Sequence, residues 1–285
     1  MKVAIMTDSN SGITQSQAKE LGIFVIPMPF TINDEPFYED INLTQEQFYE
    51  YLESGAEVLT SQPTLGELKD FWDKALEDYD QIVHIPMSSS LSSSCQTAMI
   101  MAEEDEYEGK VFVVNSQRIA ATQRCDVYDA IELAKQGKTG AEIHQILTEN
   151  KLNASIYITV GTLDYLKKGG RLTPAVAALG TLLGLKPVLQ IQGEKLDKFS
   201  TARTMKKARK IMIDAIKDDI ESRGFGDDYS ISVCYTTDLD TAMDWKQEVE
   251  ETFNRKVRFM DPLSLSVSCH IGPGALAILV TKNII

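Results

Sequence analysis

The chain has 285 residues, 43% apolar and 25% charged, with a formal net charge of −14, the make-up of a globular protein long enough for two domains and a buried apolar slot. So acidic a chain repels the phosphate backbone, which argues against a general nucleic-acid role. Met1 to Met6 run straight into Thr7-Asp8, too short for a secretory apolar core, and Cys95, Cys125, Cys234 and Cys269 form no C-x-x-C pair, so free thiols in a cytoplasmic, reducing setting are expected.

In chain order, Val3 to Met6, Gln81 to Ile85 and Val111 to Val114 are short apolar runs bounded by polar residues and read as strands. Helices between them carry start signals. Thr14 with Gln17, Thr44 with Gln47, Thr64 with Glu67 and Thr139 with Glu142 each fit a capping box. Such alternation predicts a parallel sheet flanked by helices over residues 1–152. Residues 153–285 read as an α+β domain with a mainly antiparallel sheet. Its strands are expected at Ser155 to Val160, Tyr229 to Tyr235, Val257 to Met260 and Ala275 to Thr281, with a hairpin about Gln192-Gly193-Glu194. Helices are expected from Pro174, Thr204 and Leu239; the first, to about Gly184, is too short to span a bilayer and reads as buried. No membrane span is expected.

Chemistry concentrates after the strands. Thr7-Asp8-Ser9-Asn10-Ser11-Gly12, Pro86 through Ser94 and Asn115-Ser116-Gln117 follow three strands, and Thr60-Ser61-Gln62-Pro63-Thr64 opens a helix. Taken as loops at one end of one sheet, they offer hydroxyls and free N–H groups near helix N-termini, which suits a small anionic head group. Serine and threonine are also ordinary caps, which suffices for Thr64 and for Ser9 or Ser11. Gly169-Gly170-Arg171 permits close backbone approach, with Arg171 facing either a ligand acid or a structural aspartate. Of three histidines, His84 in a strand and His144 on a helix read as structural. His270, beside the turn Gly272-Pro273-Gly274 into the last strand, is the candidate for function.

Together these motifs resemble the DegV family, which includes the fatty-acid-binding subunits of bacterial fatty acid kinase. The resemblance runs nearly end to end: Thr7-Asp8-Ser9, Thr60-Ser61-Gln62-Pro63, Ser89-Ser90-Leu91-Ser92, Leu163 through Arg171, Lys186-Pro187, and His270 with Gly272-Pro273-Gly274. It implies two α/β domains with a long-chain fatty acid in a tunnel between them. Thr60, Ser92 and His270 match the family's carboxylate-binding groups, with Ser61, Ser93, Ser116, Arg171 and Gly272 on the supporting loops. It also implies no catalysis and no cofactor beyond the bound acid, which a separate ATP-dependent kinase phosphorylates. Ser93-Ser94-Cys95 departs from the family's Gly-Thr-Tyr, and Asn115 from its aspartate. Leu172 to Leu189 supplies candidate tunnel wall or plain core.

Lys195 to Lys210 holds seven basic residues against one acid, Asp197. Within it Arg203, Lys206, Lys207 and Lys210 recur at helical spacing, as a partner-docking stripe or a solvated face. A monomer is the default. Two rivals stand beside the lipid carrier. One is a serine hydrolase built on Ser92, His270 and an acid such as Asp8, although no G-x-S-x-G elbow is present. The other is a receptor for a small phosphate ester at the same helix N-termini.

Overall fold

The computed structural model describes residues 1–171, 173–177, 184–193 and 196–285. Contacts divide them into two compact units. Unit 1 is Met1–Lys151 with Ser264–Ser266 and Ile284–Ile285; unit 2 is Leu152–Leu263 with Val267–Asn283.

Unit 1 is built on strands β1 (Val3–Asp8), β2 (Phe24–Ile26), β6 (Gln81–Ile85) and β7 (Val111–Val113), all parallel in the order β2-β1-β6-β7. Side chains alternate across a strand, so β1 sends Ile5 to one face and Ala4 and Met6 to the other. Ile5, Val83 and Ile85 join the core beneath helices α5 (Ala120–Lys135) and α6 (Gly140–Glu149). Ala4, Met6 and Ile82 join the core beneath α3 (Leu65–Leu76) and α4 (Ser94–Ala102). With both faces covered, the middles of these strands are buried on both sides, as a parallel sheet requires, and β1 carries its polar residues, Thr7 and Asp8, at its end. All four capping boxes form, at α1 (Gln15–Leu21), α2 (Gln45–Glu53), α3 and α6.

One expectation fails here. The Thr60 loop does not follow a strand of the parallel sheet. It follows β5 (Val58–Thr60), in a separate antiparallel sheet ordered β4-β3-β5 with β3 (Pro29–Ile32) and β4 (Glu35–Tyr38). Segments of three or four residues carry too little period-two signal to be seen, and the hairpin turn is Asn33-Asp34, both at positive φ, without glycine.

Unit 2 holds a six-stranded sheet ordered β10-β9-β8-β13-β11-β12. The strands are β8 (Ala154–Thr159), β9 (Lys186–Ile191), β10 (Leu196–Ala202), β11 (Tyr229–Tyr235), β12 (Met260–Pro262) and β13 (Leu276–Lys282). Pairing is antiparallel except between β11 and β12. Helices α9 (Met205–Ser222) and α10 (Leu239–Phe253) bury Met212, Ile216, Trp245 and Val249 with Tyr157, Ile231 and Ile278 of the sheet. Short helices α7 (Asp164–Lys168), α8 (Pro174–Ala177) and α11 (Leu265–Ile271) complete the fold.

Two further expectations shift. The strand expected at Val257 to Met260 lies at β12, and the segment before the Gly272-Pro273-Gly274 turn is helix α11, with His270 in its last turn. Ser266, Ser268 and β-branched Val267, with Ser264 just before them, disguise that helix in the sequence. Most of the helix expected from Pro174 to Gly184, Leu172 of the candidate tunnel wall, and Glu194-Lys195 of the hairpin lie outside the described residues. No described helix is long and apolar enough to cross a membrane.

Candidate ligand-binding site

In unit 1 the hydroxyl loops are tied together by Asp8. Met87 N–H donates to its Oδ2 at 2.8 Å, while Asn10 N–H and Gln123 Nε2–H donate to Oδ1 at 2.9 and 3.1 Å. One carboxylate thus fixes the ends of β1 and β6 and the first turn of α5. Burial raises its pKa, opposed by those hydrogen bonds.

Beyond Met87 the serine run folds on itself. Ser90 and Ser88 hydroxyls are 2.8 Å apart, Ser92 Oγ–H donates to Ser94 Oγ at 3.0 Å, and Ser94 N–H donates to Ser92 Oγ at 3.2 Å. Asn115 Nδ2–H donates to Ser89 Oγ at 2.8 Å, filling with an amide the place where a charge was expected from the resemblance. Ser93 precedes α4 without capping it and is exposed; Ser116 is fully buried beside Asp126.

Thr60 ends β5 opposite Phe30 and is half-buried. Ser61 N–H donates to the Pro29 carbonyl at 3.1 Å. Thr97 Oγ1–H of α4 donates to Gln62 Oε1 at 3.3 Å, so the Thr60 loop is tethered to the helix that follows Ser92.

Unit 2 brings Arg171, His270 and Gly272 into one cluster. An added Cβ on Gly169 would fall 2.0 Å from His270 Nδ1, and one on Gly272 would fall 2.2 Å from the Tyr165 ring. The two glycine motifs are therefore spacers that let α7 meet the end of α11. Gly272 also has φ +73, which favours glycine. Arg171 donates to the Gly169 carbonyl at 2.8 Å. Burial first, and the nearby Arg171 guanidinium second, hold the His270 pKa down at about 4, so this imidazole is neutral at pH 7. Thr236 Oγ1–H donates to the Gly272 carbonyl at 2.6 Å and fixes the turn.

Arg203, two residues before α9, and Lys206, Lys207 and Lys210 on it are exposed. The three lysines line a groove of about 500 Å³ with Lys217 and Glu248, and Lys210 pairs with Asp214 at 2.9 Å.

Two features were invisible in the sequence. Ser264 and Ser266 hydroxyls both donate to Asn10 Oδ1, and Leu265 N–H donates to Glu39 Oε1 at 2.8 Å. Glu39 is pushed up to about 8 by burial, with Asp40 and Asp8 as repelling neighbours. The folded protein keeps this proton up to about pH 8, whereas the unfolded chain releases it near 4.5. For this group stability is therefore full below pH 4.5 and declines as pH rises towards 8. Thermal unfolding at pH 6 and pH 8.5 checks it: the melting temperature should fall across that step, and Glu39→Gln should flatten the fall. The second feature is the His84–Trp72 pair, taken up below. Among the described residues no cluster of His, Cys, Asp and Glu is arranged to hold a metal.

Comparison with known proteins gives a consistent picture. A family model described as "Uncharacterised protein, DegV family" matches residues 2–283. A DegV domain-containing protein of Staphylococcus aureus strain N315 is 27% identical over 283 residues, 99% of each chain. A solved structure from Thermus thermophilus, described as fatty acid binding of a DegV family protein, aligns with TM-score 0.89 at 28% identity, covering 99% of this chain and 100% of its own. DegV of Bacillus subtilis, described as a fatty acid binding protein, aligns with TM-score 0.86 at 27% identity over 99% of this chain and 100% of its own.

Proposed function

Because this chain belongs to the DegV family, we propose that it binds a long-chain fatty acid and presents the carboxylate to a partner kinase, catalysing nothing itself. Thr60 and Ser92 of unit 1 supply hydroxyl donors, Ser92 by turning the hydrogen it gives Ser94 towards the ligand, and His270 of unit 2 an imidazole N–H. The observation that carries this is the match, over nearly the whole chain, to two structures described as fatty acid binding.

Tail burial supplies the affinity. Each methylene contributes about 0.8 kcal/mol, so about fifteen offer on the order of 12 kcal/mol gross. Burying a carboxylate costs several kcal/mol unless donors meet it, which is the task of the three head-group residues. A neutral His270 donates without a second charge to desolvate, and Arg171 beside it keeps the local potential positive. Asp8 has both oxygens engaged by backbone and amide donors of unit 1, so it is not poised as the orienting acid of a Ser92–His270 hydrolase.

Organic extraction of the purified protein followed by mass spectrometry should recover a C14 to C18 acid in about one-to-one ratio. Ser92→Ala and His270→Ala should each weaken binding about ten-fold, near the loss of one charge-assisted hydrogen bond. Recovery of a phosphate ester, or an acyl adduct on Ser92 after treatment with activated esters, would overturn the carrier role.

The α9 stripe is the proposed kinase-docking face, on an otherwise acidic protein. Reversing Arg203, Lys206, Lys207 and Lys210 to glutamate should cut kinase-coupled acyl-phosphate formation at least ten-fold and leave fatty acid affinity unchanged. Equal loss of both would rule the face out.

A further inference from the structure

His84 lies mid-strand in β6, in register with Met6 of β1, and is 3% exposed. Trp72 Nε1–H donates to its Nδ1 at 3.2 Å, the two rings meeting edge-on with centroids 5.8 Å apart. A neutral imidazole that accepts at Nδ1 carries its hydrogen on Nε2. Burial holds the His84 pKa at about 3, so the neutral form is the one present. Nε2–H is therefore a donor shut away from solvent, with no acceptor within reach among the described residues. Such a group is costly to leave unmet.

His84 also lines a cavity of about 20 Å³, measured as the space open to the centre of a water molecule. Asp8, Ser94 and Thr97 contribute to the same wall, as do Pro63 and Leu68. Trp72 does not; its indole takes the Nδ1 edge of the imidazole, which leaves Nε2–H as the donor His84 can offer to the cavity. A volume near 10 to 15 Å³ on this measure is about what one water needs, together with two to four polar partners. The wall offers four. His84 Nε2–H and Ser94 Oγ–H can donate, because Ser94 Oγ already accepts from Ser92 and its own hydrogen is uncommitted. Thr97 Oγ1, its hydrogen given to Gln62, and the Asp8 carboxylate can accept.

We propose that this cavity is a binding site for one water molecule, held by His84 Nε2–H, and that through it His84 positions the Ser94 and Thr97 hydroxyls behind Ser92. Both hydroxyls lead outward: Ser94 to the Ser92 side chain, Thr97 through Gln62 to the Thr60 loop. The site explains why a histidine occupies a core strand position that an aliphatic residue would fill more cheaply. Its consequence for ligand affinity rests on Ser92 and Thr60 acting as head-group donors.

Crystals of the free and fatty-acid-bound protein should show one water about 2.7–3.2 Å from His84 Nε2. Nitrogen NMR of the imidazole should show Nε2 protonated, with magnetisation transfer from a long-lived water. His84→Leu should lose the water and weaken palmitate binding about five-fold, the scale of one lost hydrogen bond, while His84→Gln, which keeps a donor, restores it to within about two-fold. A dry cavity, acyl carbons in contact with His84, an Nδ1–H tautomer, or equal weakening by leucine and glutamine would each overturn the proposal. Should the wild-type protein bind no fatty acid, the proposed function fails while the crystallographic and NMR readouts still decide the water site.

Discussion

Gly169→Ala is expected to abolish high-affinity fatty acid binding while leaving the protein folded. Gly169 has φ −77, which any residue adopts, so only space decides the outcome. An added Cβ would fall 2.0 Å from His270 Nδ1, and the imidazole must leave its position to relieve the overlap. A loss of at least about ten-fold in affinity is expected for a displaced head-group donor, measured by titration with palmitate. Gly170→Ala is the control. Its φ is +66 and nothing lies within 4 Å, so it costs about 1–2 kcal/mol of stability through backbone strain, with affinity kept. If the two variants lose affinity equally, the contact with His270 is not what matters.

Asp8→Ala should be the most destabilising single change in unit 1. It strips acceptors from Met87 N–H, Asn10 N–H and Gln123 Nε2–H, all three buried with the carboxylate that served them. At about 1–3 kcal/mol for each orphaned donor, partly relieved by relaxation, a loss of roughly 3–5 kcal/mol follows. Denaturant unfolding measures it. Asp8→Asn retains an acceptor oxygen and should recover part of the loss, though its NH2 then faces other donors. A destabilisation below about 1 kcal/mol for the alanine variant would show that these donors find other partners.

Much of the scaffold is legible in the residues. The apolar stretches Val3 to Met6 of β1 and Ile82-Val83 with Ile85 of β6 announce a buried parallel sheet, and each Thr-x-x-Gln or Thr-x-x-Glu marks a helix start because the signal is local. The hydroxyl loops follow from those strands. What escapes is short or distant. β3, β4 and β5 have too few residues for periodicity, so nothing local separates the loop bearing Thr60 from those of the parallel sheet. α11 is masked by Ser264, Ser266 and Ser268, whose hydroxyls are used by partners elsewhere: Ser268 donates to the Leu263 carbonyl at 3.1 Å, the other two to Asn10. Glu39 and Leu265 are 226 positions apart, and no local pattern ties them. His84 reads correctly as a strand residue, but that its Nδ1 is taken by Trp72 follows only from the helix α3 packing over β6.

The three residues Ser264–Ser266 belong by contact to a body whose other residues lie almost entirely before position 152. During synthesis on the ribosome, the Asn10 side-chain carbonyl meets the two serine hydroxyls only after another 254 and 256 residues have been added. The parallel sheet of unit 1 can form early, while its final polar saturation waits for residues 264–266. A fragment ending at Lys151 should therefore be soluble only as a loosened species, with faster amide exchange at Asn10 and around Glu39 than in the full chain.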